Sequence, residues 1–243
     1  MERLQKLIAN AGYGSRRGVE KLIEQGRVVL NNKTAQLGDK ASVVDRVQID
    51  GKKIDLSRYQ QDKTQILILN KPSGVVCSKA DDKGRKSIFD ALPSNTRWVM
   101  VGRLDINTSG LLLFTNNGEL AHRLMHPSSQ IDREYSVRVL GKLDDAAMKK
   151  LTQGVELEDG MAKFLKIRPG GGEGANRWYK VVLREGRKRE VRRLFEALGL
   201  KVSRLIRIRF GDIRLKSELK SNQFEYLKPT QVSAVLKSVG LSE

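Results

Sequence analysis

The sequence predicts an α+β fold in two parts, with a small unit over residues 1–58, a linker at 59–65 and a larger unit over 66–243. Three observations predict it. Helical and strand-like periodicities mix without a regular βαβ repeat, which favours a mixed, largely antiparallel sheet. Ser57 to Gln65 is polar and aperiodic, as a linker is. Apolar density then rises abruptly at Ile66-Leu67-Ile68-Leu69, a buried-type strand.

In chain order, Arg3 to Ala11 places Leu4, Leu7, Ile8 and Ala11 at helical spacing, and Gly12 and Gly14 end it. Ser15 is an N-cap for a second helix with Val19, Leu22 and Ile23 on one face and Gly26 beyond its end. Val28 to Leu30 and Val47 to Ile49 read as strands, with turns at Asn31-Asn32 and Asp50-Gly51. In the second part, Asn70 to Gly74 is a turn and Ile88 to Leu92 a short helix. Glu119 to Met125 is a helix ended by Pro127, and Glu134 to Leu140 alternates as a strand. Asp144 to Gln153 is a helix, 162–168 and 177–184 are strands, Glu190 to Leu198 is a helix and 201–210 a long strand.

A formal net charge of +18 makes a polyanion the expected partner, nucleic acid first and a membrane surface second. No apolar run approaches the ~18 residues of a membrane span, and no charged-then-apolar leader opens the chain, so neither a span nor a secretory signal is expected. The single cysteine, Cys77, fits a reducing cytosol and reads as packing. His122 and His126 are four apart on one helix, but no thiol or carboxylate completes a metal-binding pattern. An aromatic content of 5% argues against recognition by many stacked bases.

The most informative stretch is Gly102-Arg103-Leu104-Asp105-Ile106-Asn107-Thr108-Ser109-Gly110, between the apolar runs Trp98 to Val101 and Leu111 to Phe114. A carboxylate between buried strands is costly unless paired or hydrogen-bonded, so Asp105 either caps its own turn or serves chemistry. The densest charge runs from Arg184 to Arg193. Val191, Leu194, Phe195 and Leu198 mark the buried face of its helix, and Arg192 lies where its guanidinium could reach inward and pair with Asp105, holding that acid ionised. Arg187, Lys188, Arg189 and Arg193 are left for solvent or phosphate. Tyr135 sits in an alternating strand, where packing is the ordinary use and support of a flipped base the special one. In the first part Arg16, Arg17, Lys21 and Arg27 gather around the second helix, where a helix N-terminus also favours phosphate. Gly170 to Gly174 lacks the Lys and Ser/Thr of a P-loop and reads as a flexible surface loop.

Four segments, Asn70-Lys-Pro-Ser-Gly74, Gly102 to Gly110, Arg133-Glu-Tyr135 and Glu185 to Arg192, resemble in order and spacing the motifs of ribosomal RNA pseudouridine synthases. The first 60 or so residues resemble the αL, S-four-like RNA-binding domain that often precedes that catalytic domain. Three further stretches, Gly118 to Pro127, Gly171 to Tyr179 and Ser203 to Arg207, are most similar to the B-type branch of the large-subunit enzymes. The resemblance implies isomerisation of a uridine of 23S rRNA near the peptidyl-transferase centre. It implies Asp105 as the essential carboxylate, Arg192 as the basic residue paired with it, Tyr135 stacked on the target base with a part in proton removal, and Arg103 helping to hold the base out of its helix. Lys71 is grouped with the RNA-contacting cations. At Arg189-Glu190 many relatives have His-Gln. The expected partner is ribosomal RNA, 23S or a pre-50S intermediate, for a cytoplasmic monomer with no membrane contact. Isomerisation changes neither atom count nor redox state, so no cofactor or metal is expected. Two other readings stand beside this one: a non-catalytic rRNA-binding assembly factor, and a hydrolase of nucleosides, which would normally need two carboxylates.

Overall fold

The computed structural model describes residues 1–57, 63–78, 84–94 and 96–242. The chain forms two compact units, Met1–Thr64 and Gln65–Glu243. Of the expected linker over 59–65, residues 59–62 lie outside the described residues.

The N-terminal unit begins with a short strand β1 (Glu2–Arg3) and helices α1 (Leu4–Asn10) and α2 (Arg16–Glu24). The Ser15 hydroxyl accepts the Gly18 amide at 3.0 Å, a cap worth about 1 kcal/mol. Strands β2 (Val28–Leu30), β3 (Lys33–Thr34), β5 (Val47–Ile49) and β6 (Lys52–Ile54) form an antiparallel sheet in the order β3-β2-β5-β6, while β4 (Lys40–Ala41) pairs with β1. Asn31, Asn32, Asp50 and Gly51 all take positive φ, so the two hairpin turns fall where Asn and Asp-Gly tolerate that conformation. Leu4, Leu7, Ile8, Val19 and Ile23 from the helices close over Val28, Val47 and Ile54 from the sheet.

The second unit is built on a nine-stranded sheet. Its strands are β7 (Ile66–Lys71), β8 (Val99–Val101), β9 (Ser109–Thr115), β10 (Arg133–Leu140), β13 (Lys166–Pro169), β14 (Asn176–Leu183), β15 (Lys201–Phe210), β16 (Ile213–Arg214) and β17 (Phe224–Tyr226). The order is β13-β14-β10-β15-β9-β7-β17, with β16 on β15 and β8 on β9. Every pairing is antiparallel except that of β15 with β9. A separate hairpin joins β11 (Val155–Leu157) to β12 (Gly160–Ala162), so the expected strand over 162–168 is two strands divided at Phe164, which is fully buried. Helices α3 (Gly118–Met125), α4 (Asp145–Gln153), α5 (Glu190–Glu196) and α6 (Pro229–Ser238) complete the unit. The segment Ile88–Ala91 is a single 3₁₀ turn capped by Ser87 rather than an α-helix.

The helices cover opposite faces of different halves of the sheet. Leu151 of α4 and Val191, Leu194 and Phe195 of α5 pack with Tyr135, Val137, Val181, Leu183 and Leu205. Leu120 and Leu124 of α3 and Val232 and Leu236 of α6 pack with Ile66, Ile68, Leu111 and Leu113, which alternate with the residues facing the first core. At ~1.5–3 kcal/mol per buried aliphatic side chain, these two layers hold the sheet against its conformational entropy.

One edge of β9 is shared. β15 pairs with Ser109 and Gly110 at one end and β8 with Leu113 to Thr115 at the other. At the break, the buried guanidinium of Arg207 donates to the Leu111 carbonyl at 2.7 Å. The loop carrying Asp105 runs from β8 to β9, so both its ends lie at this split.

Candidate active site

Gly110 lets β15 come this close. An added Cβ there would lie 2.3 Å from the Arg207 carbonyl oxygen, and its φ of +101° is one that side chains rarely adopt. Ser109 and Gly110, which close the Gly102 to Gly110 segment, are therefore a sheet contact.

The loop before it is held from behind. Lys71, at the end of β7, is fully buried. Its Nζ donates to the carbonyls of Pro72 (2.9 Å), Asp105 (3.3 Å), Ile106 (3.3 Å) and Thr108 (2.9 Å). The Gly74 amide adds a bond to Ile106 O at 2.8 Å, and the Thr108 amide closes the turn on Asp105 O at 3.0 Å. Burial lowers the Lys71 pKa, against the opposing influence of Cys77 and Asp105. Lys71 thus has no surface with which to touch RNA, contrary to its grouping with the RNA-contacting cations. A motif lysine next to a turn looks solvated in sequence, and only the sheet places it under the loop.

Asp105 itself is exposed. Among the described residues its carboxylate makes no hydrogen bond or ion pair, so it neither caps its turn nor forms the expected direct pair with Arg192. Arg192 instead donates to Val202 O and to Asn107 O, both at 3.0 Å. It joins α5, β15 and the Asp105 loop through main-chain carbonyls. Desolvation lowers its pKa, Arg189 adds to that, and Asp105 acts in the opposite sense, so the pair communicates through space rather than by contact. The geometric reason is that α5 is anchored by Val191, Leu194 and Phe195, which leaves Arg192 at the flank of the loop and not beneath its carboxylate.

Asp105 and Tyr135 line one cavity of about 510 Å³, together with Arg103, Met100, Leu183 and Leu205. Tyr135 is 8% exposed and stands on β10 between Val181 of β14 and Arg207 of β15. The mouth is cationic, with Arg103, Lys188 and Arg189 exposed. Arg189 adopts a left-handed φ of 54° at the start of α5 and reaches Glu196 at 2.8 Å. Glu190, 4% exposed, also lines the cavity and accepts the Arg187 amide at 3.1 Å. Burial raises its pKa. Nothing in the sequence marks this buried acid beyond its position in the charged run.

The remaining predicted cations divide. Arg187 donates to Glu185 and to the carbonyls of Asp159, Gly160 and Met161, so it ties the 185–189 loop to the β11–β12 hairpin. Arg193 makes a two-point pair with Asp159 at 2.8 and 2.9 Å, which lowers the Asp159 pKa. Both are structural ties rather than the free phosphate contacts expected of them. Arg27 is likewise engaged in a two-point pair with Asp50. Arg16, Arg17 and Lys21 are exposed on α2. Arg133, which opens one of the motif segments but had no role assigned, lashes β10 to the carbonyls of Arg184 and Glu185 and so fixes the root of the basic loop. The Gly170 to Gly174 run closes the β13–β14 hairpin, with Gly170 and Gly171 bonded to the backbone of Trp178. Among the described residues no three His, Cys, Asp or Glu side chains assemble into a metal site, and no helix is long and apolar enough to cross a membrane.

An exposed carboxylate on a tethered loop, facing a buried tyrosine in a cavity with a cationic mouth, is a site for chemistry on a polyanion. The family model described as RNA pseudouridylate synthase matches residues 65–197, and that described as S4 domain matches residues 2–47. The chain belongs to the RNA pseudouridine synthase family. It is 52% identical to the ribosomal large subunit pseudouridine synthase B of Haemophilus influenzae over 99% of this chain and 68% of that one. It is 50% identical to the protein of the same name from Escherichia coli K12, over 99% of this chain and 84% of that one. Among solved structures, a crystal structure of pseudouridylate synthase superposes with a TM-score of 0.66 at 26% identity, covering 97% of this chain and all of the other.

Proposed function

We propose that this chain isomerises one uridine of 23S rRNA to pseudouridine, acting as a cytoplasmic monomer on 23S rRNA or a pre-50S intermediate. The single observation that carries the assignment of roles is the unpaired, exposed carboxylate of Asp105 in the same cavity as Tyr135. The reaction breaks the N1–C1′ bond, turns the base and joins C5 to C1′, with one proton leaving C5 and one arriving at N1. Asp105 serves it as a nucleophile at C1′ or as a base toward the ribose, and both routes need a carboxylate with no other partner. Tyr135 offers its flat face to the extruded base, and Arg103 at the mouth replaces what the base leaves behind. Extrusion costs a few kcal/mol, which phosphate contacts at the cationic mouth and on α2 offset. Arg192 is a positioning residue in this reading, since its bonds go to the loop and not to the carboxylate.

The test is base-by-base mapping of pseudouridine on unmodified 23S rRNA with wild type and Asp105→Asn. One new site with wild type and none with the variant, at equal RNA affinity, is expected. Substantial turnover by Asp105→Asn removes Asp105 from its role. Tight binding by wild type with no product anywhere in the rRNA favours the binding-only assembly factor.

A further inference from the structure

We infer that the outer face of strands β13, β14, β10 and β15, the one turned away from α4 and α5, is a second RNA-contact surface, taking a single-stranded or loop segment of the rRNA away from the target base. The nature of that RNA rests on the proposed function; the surface itself rests on register and charge.

On these four strands Tyr135, Val137, Tyr179, Val181, Leu183 and Leu205 face the core beneath α4 and α5. Their neighbours in register face the other way. Arg138 lies between Trp178 and Arg204, Ser136 between Lys180 and Ile206, and Arg168 opposite Lys180. Val182, buried yet outside every apolar cluster, lies on that same outer face. Among the described residues, helices α3 and α6 pack over β7, β9 and the Phe210 end of β15. A solvated sheet face is ordinary, and ordinarily it mixes signs of charge. Here Lys166, Arg168, Lys180 and Arg204 are exposed, and Arg138 is partly so. The one acid among these strand residues is Glu134, buried under its bonds to Arg168 at 3.0 Å and Arg209 at 2.8 Å. The centre of the face holds Trp178, partly exposed, with the Arg138 guanidinium 5.9 Å from its ring.

A one-sign cationic sheet bearing an aromatic ring with a guanidinium beside it is the arrangement on which unstacked bases rest while phosphates meet the flanking cations. Four strands at ~4.8 Å spacing make a patch roughly 15 Å across, room for a short run of nucleotides. None of Lys166, Lys180 and Arg204 lines the Asp105 cavity.

The test compares wild type with Lys166→Glu/Lys180→Glu/Arg204→Glu, and with the same three changed to Gln, on full-length 23S rRNA and on a short stem-loop carrying the target uridine. For full-length RNA the Glu variant should raise KM at least tenfold with kcat unchanged, and the log–log salt slope should fall by about two. The Gln variant should show a smaller shift of the same kind, and neither should alter KM or kcat on the stem-loop. An unchanged KM and slope on full-length RNA overturns the inference and leaves a solvated face or one that meets an acidic protein. Equal loss on both substrates overturns it too, by placing the effect in the fold or the cavity. If wild type modifies neither RNA, it is the 23S target that fails. Filter-binding affinity for 23S rRNA then judges the surface alone, with the same tenfold difference expected.

Discussion

The ammonium of Lys71 donates to the main-chain carbonyl of Asp105 at 3.3 Å, so the residue presenting the exposed carboxylate is gripped through its backbone by a fully buried cation. The carboxylate is free because the hold on it is elsewhere. Three ammonium protons serve four carbonyls, and the turn from Asp105 to Thr108 is wrapped around them.

Lys71→Met should therefore damage both stability and rate. It leaves buried carbonyls unpaired, at about 1–3 kcal/mol for a first such group, and frees the loop. A loss of at least ~2 kcal/mol in urea unfolding and a fall in kcat exceeding the fall in RNA affinity are expected. Unchanged kcat in a variant that still unfolds cooperatively would show that the loop needs no such tether.

Arg192→Leu removes two carbonyl bonds that span Asn107 and Val202. Arg192→Lys keeps the charge but loses the planar fork that reaches both. If positioning is the role, Lys should rescue little, and kcat should fall at least tenfold in both variants with KM nearly constant. Full rescue by Lys would instead make the charge near Asp105 the important feature.

Glu190 supplies a pH dependence. Burial raises its folded pKa above the unfolded value of about 4.3. Between those two values the folded state holds more protons than the unfolded one, so stability falls as pH rises through that window. Glu190→Gln can still accept the Arg187 amide and carries no charge to bury. Its melting temperature relative to wild type should rise, and by more at pH 8 than at pH 4. A difference independent of pH, read by calorimetry at both values, would contradict this.

Gly110→Ala should be among the most damaging single substitutions in the sheet. The new methyl carbon has no room against the Arg207 backbone, and the φ is strained for any side chain. A loss above ~3 kcal/mol is expected from denaturant unfolding, whereas Gly102→Ala, with open space at its Cβ, should cost only the strain of its positive φ. Equal losses at the two sites would show that φ alone, and not the approach of β15, sets the requirement.

Much of the architecture was legible in the residues because it follows from local rules. Ser15 caps α2, Asp144 caps α4, Asn31-Asn32 and Asp50-Gly51 turn as their positive φ tolerance dictates, and the β10 and β15 strands follow from alternation. Asp105, Tyr135 and Arg103, each drawn from a motif quoted from the sequence, line one cavity. What a charged side chain does after folding was not legible, because that depends on which elements pack beside it. Lys71, Arg187, Arg193 and Arg27 all read as solvated cations in a chain of +18 net charge, and each is tied to a carbonyl or carboxylate brought up from elsewhere in its unit. Most helices, turns and strands up to residue 210, and the basic character that a polyanionic partner requires, were legible because propensity and pattern are properties of neighbouring residues, whereas the 3₁₀ turn at Ile88–Ala91, the break at Phe164 and helix α6 were not. Tertiary packing is what leaves the Asp105 carboxylate unpaired while its backbone is clamped, and what sets exposed cations on the outer face of β13, β14, β10 and β15, since both depend on where a β9 edge divides and which face each helix covers.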